Sequence, residues 1–477
     1  AITTDAERTL VVFNPLGRTR SDLVRLKTDL PPGDFRLVDS ASGKTIEHQS
    51  FDGDVIFVAS DVPAMGYKTF RVESIDKGPT TSPDTSPADN SVLENRFYRV
   101  RFDTATGGIV SIRDKQLDVE LVDGSAPQQF NEYLYENFRT GEAGGNVWYR
   151  PEKARLALSA GPVARAMAVS VTAAGARNIQ QQVILYEDLK RIDFVLSMDK
   201  SPSGMTLAEF ARDGLKGKEA TYVSLPFAVP EFSIHHELPG AVIEPYRQQF
   251  TGACTAYHPV RHFSDISNDK FGVTVSALES SLIEYGHPRS CPMQNNGWHL
   301  FDTNRDYPQH SRMYLYLMNN MWNMNIQIDQ RGPQTFRWSM RSHAGNWQAG
   351  QADRFGWEIH NPLMTQWIDG KQKGPLPADG TSFVSIEPSN VVCTTIKPAE
   401  HNGSGLILRF VETSGTPAEA DVALPLLGGI IAANETSLVE EDKPESLEVM
   451  DNNRIRVTIP AFGVKTIRVL QREFMGL

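Results

Sequence analysis

Apolar residues recur at every second position through much of this 477-residue chain, and that alternation constrains the fold more than any other feature. RFYRVRFD (96–103) sets Tyr98, Val100 and Phe102 on one face and Arg99 and Arg101 on the other. RIDFVLSMD (191–199) groups Ile192, Phe194, Leu196 and Met198, and RIRVTIPAFGVKTIRVL (454–470) groups Ile455, Val457 and Ile459. A period of two places successive side chains on opposite faces of a half-buried strand. Turn clusters such as DTATGG (103–108) and KPAEHNGSG (397–405) separate these runs. Helical spacing is not sustained over a dozen residues anywhere, so the chain is expected to be nearly all β.

Two composition breaks divide it. SIDKGPTTSPDTSPADN (74–90) is rich in Pro and hydroxyls and has little to bury, as a solvated linker does. WIDGKQKGPLPADGTS (367–382) is a weaker break of the same kind. The expected layout is a small β-sandwich at 1–73, a linker at 74–91, a central domain at 92–366, a second linker at 367–379, and a carboxy-terminal β-sandwich at 380–477. The central segment is too large for an immunoglobulin-like sandwich and calls for two large antiparallel sheets packed face to face. The fold class is therefore all-β: a large antiparallel β-supersandwich flanked in the chain by two smaller sandwiches.

Charge and composition exclude several functions. The net charge is −11, with 58 acids scattered among 47 basic residues, a balance that repels phosphate backbones and argues against nucleic acid as a partner. The longest apolar candidate, VALPLLGGIIAA (422–433), is short and broken by Pro425, Gly428 and Gly429, so no membrane span is expected. Cys254, Cys291 and Cys393 are widely spaced with no Cys-x-x-Cys pair. They predict small buried thiols, not a disulfide framework or a thiolate zinc site. The first residues, AITTDAERTLVVFNPLG, carry no initiator Met and no targeting signal. They read as a chain that starts inside a longer one. The compartment is left open, with the cytoplasm as the expectation, and a homo-oligomer stays among the alternatives.

The motifs, in order, resemble glycoside hydrolase family 38, the α-mannosidases. VVFNPLGRTRSDLV (11–24) and FVASDVPAMGYKTFRV (57–72) are similar to that family's small sandwich after its helical bundle. LENRFYRVRFDTATGGIVSIRDK (93–115) is similar to the entry into its large supersandwich, which is galactose-mutarotase-like. NEYLYE (131–136), LPFAVPEFSIHHELPG (225–240), LMNNMWNMNIQIDQRGPQTFRW (317–338) and RFGWEIHNPL (354–363) resemble later strands of that domain. SFVSIEPSNVVCTTIKPAE (382–400), GLILRFVETSG (405–415) and VKTIRVL (464–470) fit the last sandwich. The family's chemistry sits in an amino-terminal α/β domain whose zinc signature is His-x-Asp, and no His-x-Asp occurs here. ADRFGWE (352–358) resembles the family's nucleophile motif only on the surface and is read as part of a carboxy-terminal strand. The resemblance implies the β-region of an α-mannosidase-like hydrolase, without the catalytic domain, and inactive on its own. Its zinc would lie in that other domain, which becomes the expected partner together with an α-mannoside or other glycan.

Candidate site residues follow. A retaining glycosidase needs two carboxylates about 5 Å apart, and no local motif fixes such a pair, so no catalytic residue is assigned. In IHHELPG (234–240), His235 and His236 are adjacent, and adjacent strand residues point to opposite faces, so they do not form a metal site. In FNEYLYENF (130–138), Tyr133 and Tyr135 share one face and Glu132 and Glu136 the other. Tyrosine rings suit sugar stacking, and the resemblance implies that Tyr133, with Tyr135 beside it, reaches a substrate sugar; core packing is the alternative. The irregular segment HPRSCPMQNNGWHLFDTNRDYPQH (287–310) offers Arg289 and Arg305, and the resemblance implies that one of them enters the substrate pocket. NNMWNMNIQIDQRGPQTFRW (319–338) reads as two central strands joined at DQRGPQ, with Trp322 and Trp338 packing between domains in preference to binding sugar. The rival functions are a free-standing carbohydrate-binding or scaffold protein, and a mutarotase-like enzyme with a His and a Glu converging in a concave face.

Overall fold

A computed structural model of the chain describes residues 1–27, 35–75, 91–138, 147–202, 218–288, 306–320, 329–400, 405–426 and 429–471. They form two compact units, one of Ala1–Ser82, Pro239–Val242 and His360–Leu477, the other of Pro83–Leu238 and Ile243–Ile359.

The second unit holds the large sandwich. Its bigger sheet runs through the strands Glu152–Ala160, Ala164–Thr172, Ala176–Tyr186, Ile192–Lys200, Gly332–Ala344, Phe271–Ala277, Ser264–Ser267 and Ser233–Leu238, each antiparallel to the next. The opposing sheet runs Val147–Tyr149, Glu132–Asn137, Glu219–Pro226, Arg312–Asn320, Leu282–Tyr285 and His258–Pro259. A further sheet of Val119–Glu120, Ile109–Asp114, Tyr98–Phe102 and Val92–Glu94 joins it through the bridges Ile109↔Phe130 and Val122↔Phe227. One continuous core lies between the sheets. It takes Tyr98, Val100 and Phe102 from one strand and Ile192, Phe194, Leu196 and Met198 from another, the sets that the alternation groups. Each such side chain adds roughly 1.5–3 kcal/mol of burial.

The first unit holds two smaller sandwiches. In one, the strands Met364–Asp369, Arg8–Asn14, Gly66–Ser74, Phe35–Asp39 and Thr45–Ile46 face Arg20–Leu26, Asp54–Val62 and His48–Phe51 across Leu10, Val24, Leu37, Phe57 and Phe70. The other packs Ser385–Glu387, Ala418–Ala423, Arg454–Ile459 and Glu448–Met450 on Val391–Pro398, Leu406–Glu412, Val464–Gln471, Ile430–Thr436 and Asp442–Ser446, around Ile386, Phe410, Val422, Ile455 and Ile467.

Three sequence expectations meet a different local structure or no description. Residues 352–360 form a helix, Ala352–His360, not a strand. Its buried residues are Ala352, Asp353, Phe355, Gly356 and Trp357, a set that recurs at i, i+3 and i+4, and Arg354 pairs with Glu358 at 2.9 Å one turn on, so in this short stretch the helical period wins over alternation. The expected boundary at 366 falls inside the strand Met364–Asp369, which pairs with Arg8–Asn14 in register from Arg8↔Asp369 to Phe13↔Met364. Most of the first expected linker, residues 76–90, lies outside the described residues. Cys393 is buried and Cys254 half-buried, both as free thiols, while Cys291 is outside the described residues. No described helix is long and apolar enough to cross a membrane.

Candidate functional site

The strand Glu132–Asn137 is hydrogen-bonded on both sides, to Val147–Tyr149 and to Glu219–Pro226, so its two faces decide what it can offer. The tyrosine face turns inward. Tyr133 is fully buried in the sandwich core, and its hydroxyl donates to the Ala174 carbonyl at 3.1 Å. Tyr135 is also a core residue, and its hydroxyl donates to the Glu219 carboxylate. Burial, and then the Glu219 charge, push the Tyr135 hydroxyl well above the usual phenol range. Both hydroxyls are thus taken by protein groups. The sequence reading made these rings sugar contacts; their placement is that of the packing alternative.

Glu219 collects more than one donor. Lys200 Nζ sits 2.6 Å from Glu219 Oε1 and 2.8 Å from the Ser201 carbonyl, and Asn320 Nδ2 also donates to Glu219. The four residues come from four strands that all end at the same level of the sandwich, where the chain passes out of the described residues after 138, 202 and 320 and before 218. Gly175 lies over the Tyr135 ring with φ +82°, and a Cβ there would come 2.3 Å from Tyr135 Cδ2. Tyr135 and Asn320 stand 84 and 101 residues from Glu219 in sequence. No local pattern could have named that cluster.

The glutamate face of the same strand points away from the core. Arg150 grips the buried Glu132 carboxylate through Nε and through Nη2, the latter at 2.7 Å, and the Gln129 amide donates to it at 2.6 Å. The hydrogen bond from Arg150 to Glu132 raises the Arg150 pKa. Beside this pair runs an aromatic row: Trp148 tilts over Tyr222 at 5.8 Å, Tyr222 stacks on Tyr316 at 4.8 Å and 17°, and Tyr257 meets Tyr316 edge-on at 6.1 Å. Tyr222 and Tyr314 turn their hydroxyls to Glu136 at 3.4 Å and Gln128 at 3.0 Å. The row is closed at its centre and open at the edge strand, where Trp148 is 37% exposed and the Arg150 side chain 48%. An indole face beside a forked guanidinium–carboxylate pair is able to stack on, and hydrogen-bond to, a polyhydroxylated ring. Alternation separates Glu132 and Glu136 from the tyrosines; their face is buried as well, and solvent is reached beside it, at Trp148 and Arg150. Trp148 and Arg150 carry no such signal, because their short strand follows a segment without a repeat.

The remaining sequence candidates divide. Arg289, Arg305, Trp322, Asn323 and Asn325 lie outside the described residues. Trp338 sits in the strand Gly332–Ala344, stacked on Phe194 at 5.5 Å and 7° inside the sandwich core, so it packs within its own domain and not between domains. His235 and His236 fall on opposite faces, as alternation requires: His236 is buried against Tyr285 and His235 lies beside Trp347. No described group of three or more His, Cys, Asp or Glu could hold a metal ion. A His and a Glu do meet at His262 Nδ1 and Glu237 Oε2, 2.9 Å apart, but both are buried and the Trp357 ring lies 4.3 Å from the imidazole, which leaves no room for a sugar. In the first unit, Phe13, Pro15, Met65, Phe383, Ile396, Leu406 and Leu426 line an apolar cavity of about 380 Å³, too poor in polar groups to orient a polyol.

Comparison with known proteins gives these surfaces a context. Residues 93–281 match the family model "Glycosyl hydrolases family 38 C-terminal domain", and residues 390–467 match "Glycosyl hydrolases family 38 C-terminal beta sandwich domain". The chain is similar to lysosomal alpha-mannosidase of Bos taurus, 28% identical over 158 residues that cover 32% of this chain and 15% of that protein. The Homo sapiens protein of the same name is 26% identical over 166 residues, covering 31% and 16%. In structure it is similar to an alpha-mannosidase from Enterococcus faecalis V583, with TM-score 0.68, 12% identity, and coverage of 98% of this chain and 57% of that one. A second Enterococcus faecalis protein, in glycosyl hydrolase family 38, gives TM-score 0.66, 11% identity, and 98% and 59% coverage. The chain thus spans less than two thirds of each of these relatives, and the structural likeness is one of fold.

Proposed function

The chain belongs to the carboxy-terminal region of glycoside hydrolase family 38, and from that premise we propose that it serves an α-mannosidase-like glycosidase as the β-region that contacts glycan and completes the active site of a catalytic segment outside these 477 residues. The observation that carries the glycan contact is the open edge beside Glu132, where Trp148 and Arg150 stand exposed next to a buried carboxylate and an aromatic row. An indole supplies stacking area at little entropic cost, and Arg150, held by Glu132, has unused donors fixed in direction. Arg289 and Arg305 stay candidates for the same pocket, and a zinc ion would belong to the catalytic segment, where it would polarise or orient the scissile glycoside. The described residues of this chain offer it no ligand set. Their part is to bind, orient and exclude water.

The test uses the 477-residue chain in two measurements. Aryl α-mannosides, with or without added zinc, should be hydrolysed no faster than in buffer. Titration with methyl α-mannoside or α-mannobiose should change tryptophan fluorescence, and Trp148→Ala should remove that change while leaving the circular dichroism intact. Turnover well above buffer without zinc would refute the supporting role and point to a carboxylate pair within this chain. Sugar binding that survives Trp148→Ala unchanged would refute the assignment of the edge.

A further inference from the structure

The two sheets of the large sandwich are pinned together at one point by a polar chain that crosses the apolar core. Tyr285, from the strand Leu282–Tyr285, reaches between two residues of the facing sheet: its hydroxyl lies 3.1 Å from His236 Nδ1 and 2.8 Å from Ser264 Oγ. His236 and Ser264 are themselves partners across the antiparallel pair Ser233–Leu238 and Ser264–Ser267. All three are buried, and the His236 and Tyr285 rings lie nearly parallel, 7° apart at 6.0 Å. The arrangement is satisfied when Ser264 donates to Tyr285 and Tyr285 donates to an unprotonated Nδ1.

We propose that this His236–Tyr285–Ser264 bridge is an acid-sensitive latch, which holds the two sheets together at neutral pH and contributes progressively less to folding stability as the surroundings acidify. Adding a proton to Nδ1 turns the acceptor of the bridge into a donor and places a charge in the core. The groups facing it do not welcome that charge. His258 lies 5.5 Å away, ring to ring, on the strand His258–Pro259, with Tyr246 packed 4.9 Å behind it. His235 is the next residue in its own strand. Asp265 and Glu284, the carboxylates adjoining Ser264 and Tyr285, point to the opposite faces of their strands, and Asp265 is engaged with Thr274 at 2.7 Å and His343 at 2.8 Å. Glu244 is paired with Arg247 at 2.6 Å, and Tyr307 takes the Ile234 amide at 2.6 Å. Burial, followed by the imidazoles of His258 and His235, pushes His236 down from 6.5 to about 3.

The sign follows from linkage. A histidine depressed in the folded state contributes stability that is complete above its unfolded value near 6.5 and is lost as pH falls toward the folded one. One proton taken up on unfolding shifts the unfolding constant tenfold per pH unit well below 6.5, so between pH 7.5 and 4.5 His236 alone shifts it about a hundredfold.

The experiment is urea unfolding of the full chain from pH 7.5 to 4.5, compared with His236→Asn, whose Oδ1 replaces the Nδ1 acceptor but cannot titrate. The wild type should lose about a hundredfold more of its folding constant across that range than the variant does, even where the variant is weaker at pH 7.5. Parallel pH profiles would overturn the latch. Should His236→Asn not fold, proton NMR of the wild-type chain decides instead. A His236 resonance that stays unmoved from pH 7.5 to 5 supports the latch, and one that titrates with a midpoint at 6 or above overturns it.

Discussion

Glu219 is the residue whose loss should be felt most widely in the large sandwich. It and Lys200 have side chains 4% and 1% exposed, with 2.6 Å between Oε1 and Nζ, and it also accepts from Tyr135 and Asn320. Glu219→Ala removes the counter-charge and leaves Lys200 with its bond to the Ser201 carbonyl and the Tyr135 ring 5.7 Å away. At an effective dielectric of about 20 the direct attraction at this distance is roughly 6 kcal/mol. Most of it only offsets the cost of taking both ions out of water. The measurable consequence of breaking one side of a buried pair is about 3–5 kcal/mol. Two further donors lose their acceptor, so the upper part of that range is expected. For a folding unit of this size, that corresponds to a fall in Tm of roughly 6–20 °C. The double replacement Lys200→Met with Glu219→Leu removes both charges and should recover much of the loss, to within about 2 kcal/mol of wild type. Urea unfolding followed by circular dichroism is run on Glu219→Ala and on the double, and the single variants Lys200→Met and Glu219→Leu close the cycle. If Glu219→Ala costs under 1 kcal/mol, or no more than the double variant, the pair is not the buried hub described here.

Other expectations are smaller and separable. Tyr133→Phe should cost about 1 kcal/mol in urea unfolding, the worth of its bond to Ala174; in an active full-length enzyme it should leave kcat/KM unchanged, and a selective kinetic defect would restore the sugar-contact reading. Gly175→Ala should destabilise by about 1–3 kcal/mol, because the new Cβ meets the Tyr135 ring and φ is +82°; an unchanged urea midpoint would show that the ring yields. Trp338→Ala should cost about 3–5 kcal/mol by leaving a cavity against Phe194, measured the same way.

The strands were legible because their signal is local. Tyr98, Val100 and Phe102, or Ile455, Val457 and Ile459, declare a buried face within six residues, and the structure buries those sets. Partners were not legible, since a period of two says which face is apolar but not which strand it meets. That is why Met364–Asp369 is split by sequence between the central domain and the second linker although it pairs as one strand with Arg8–Asn14. The helix Ala352–His360 is nine residues long, too short for its period to outweigh strand signals on either side. At the candidate site the faces of Glu132–Asn137 were read correctly, and what the sequence lacked was the direction of the core. Once the opposing sheet is in place, the tyrosines enter the large core, and Glu132, buried on the other face, holds the half-exposed Arg150. The Glu219 cluster draws its members from four strands, so it exists only after folding.

The strand Gly332–Ala344 has a consequence in time as well as in space. It is the one that joins Ile192–Lys200 on one side to Phe271–Ala277 on the other. During synthesis roughly 130 residues emerge between Lys200 and Gly332, which at ribosomal rates is roughly 7–26 s. Through that interval the four strands made first present an unpaired edge at Ile192–Lys200, alternating apolar residues with open amides. The later strands are likewise without their neighbour. A nascent chain in this state is a natural client for chaperones that cover strand edges, and truncation before Gly332 should turn a soluble product into an aggregating one.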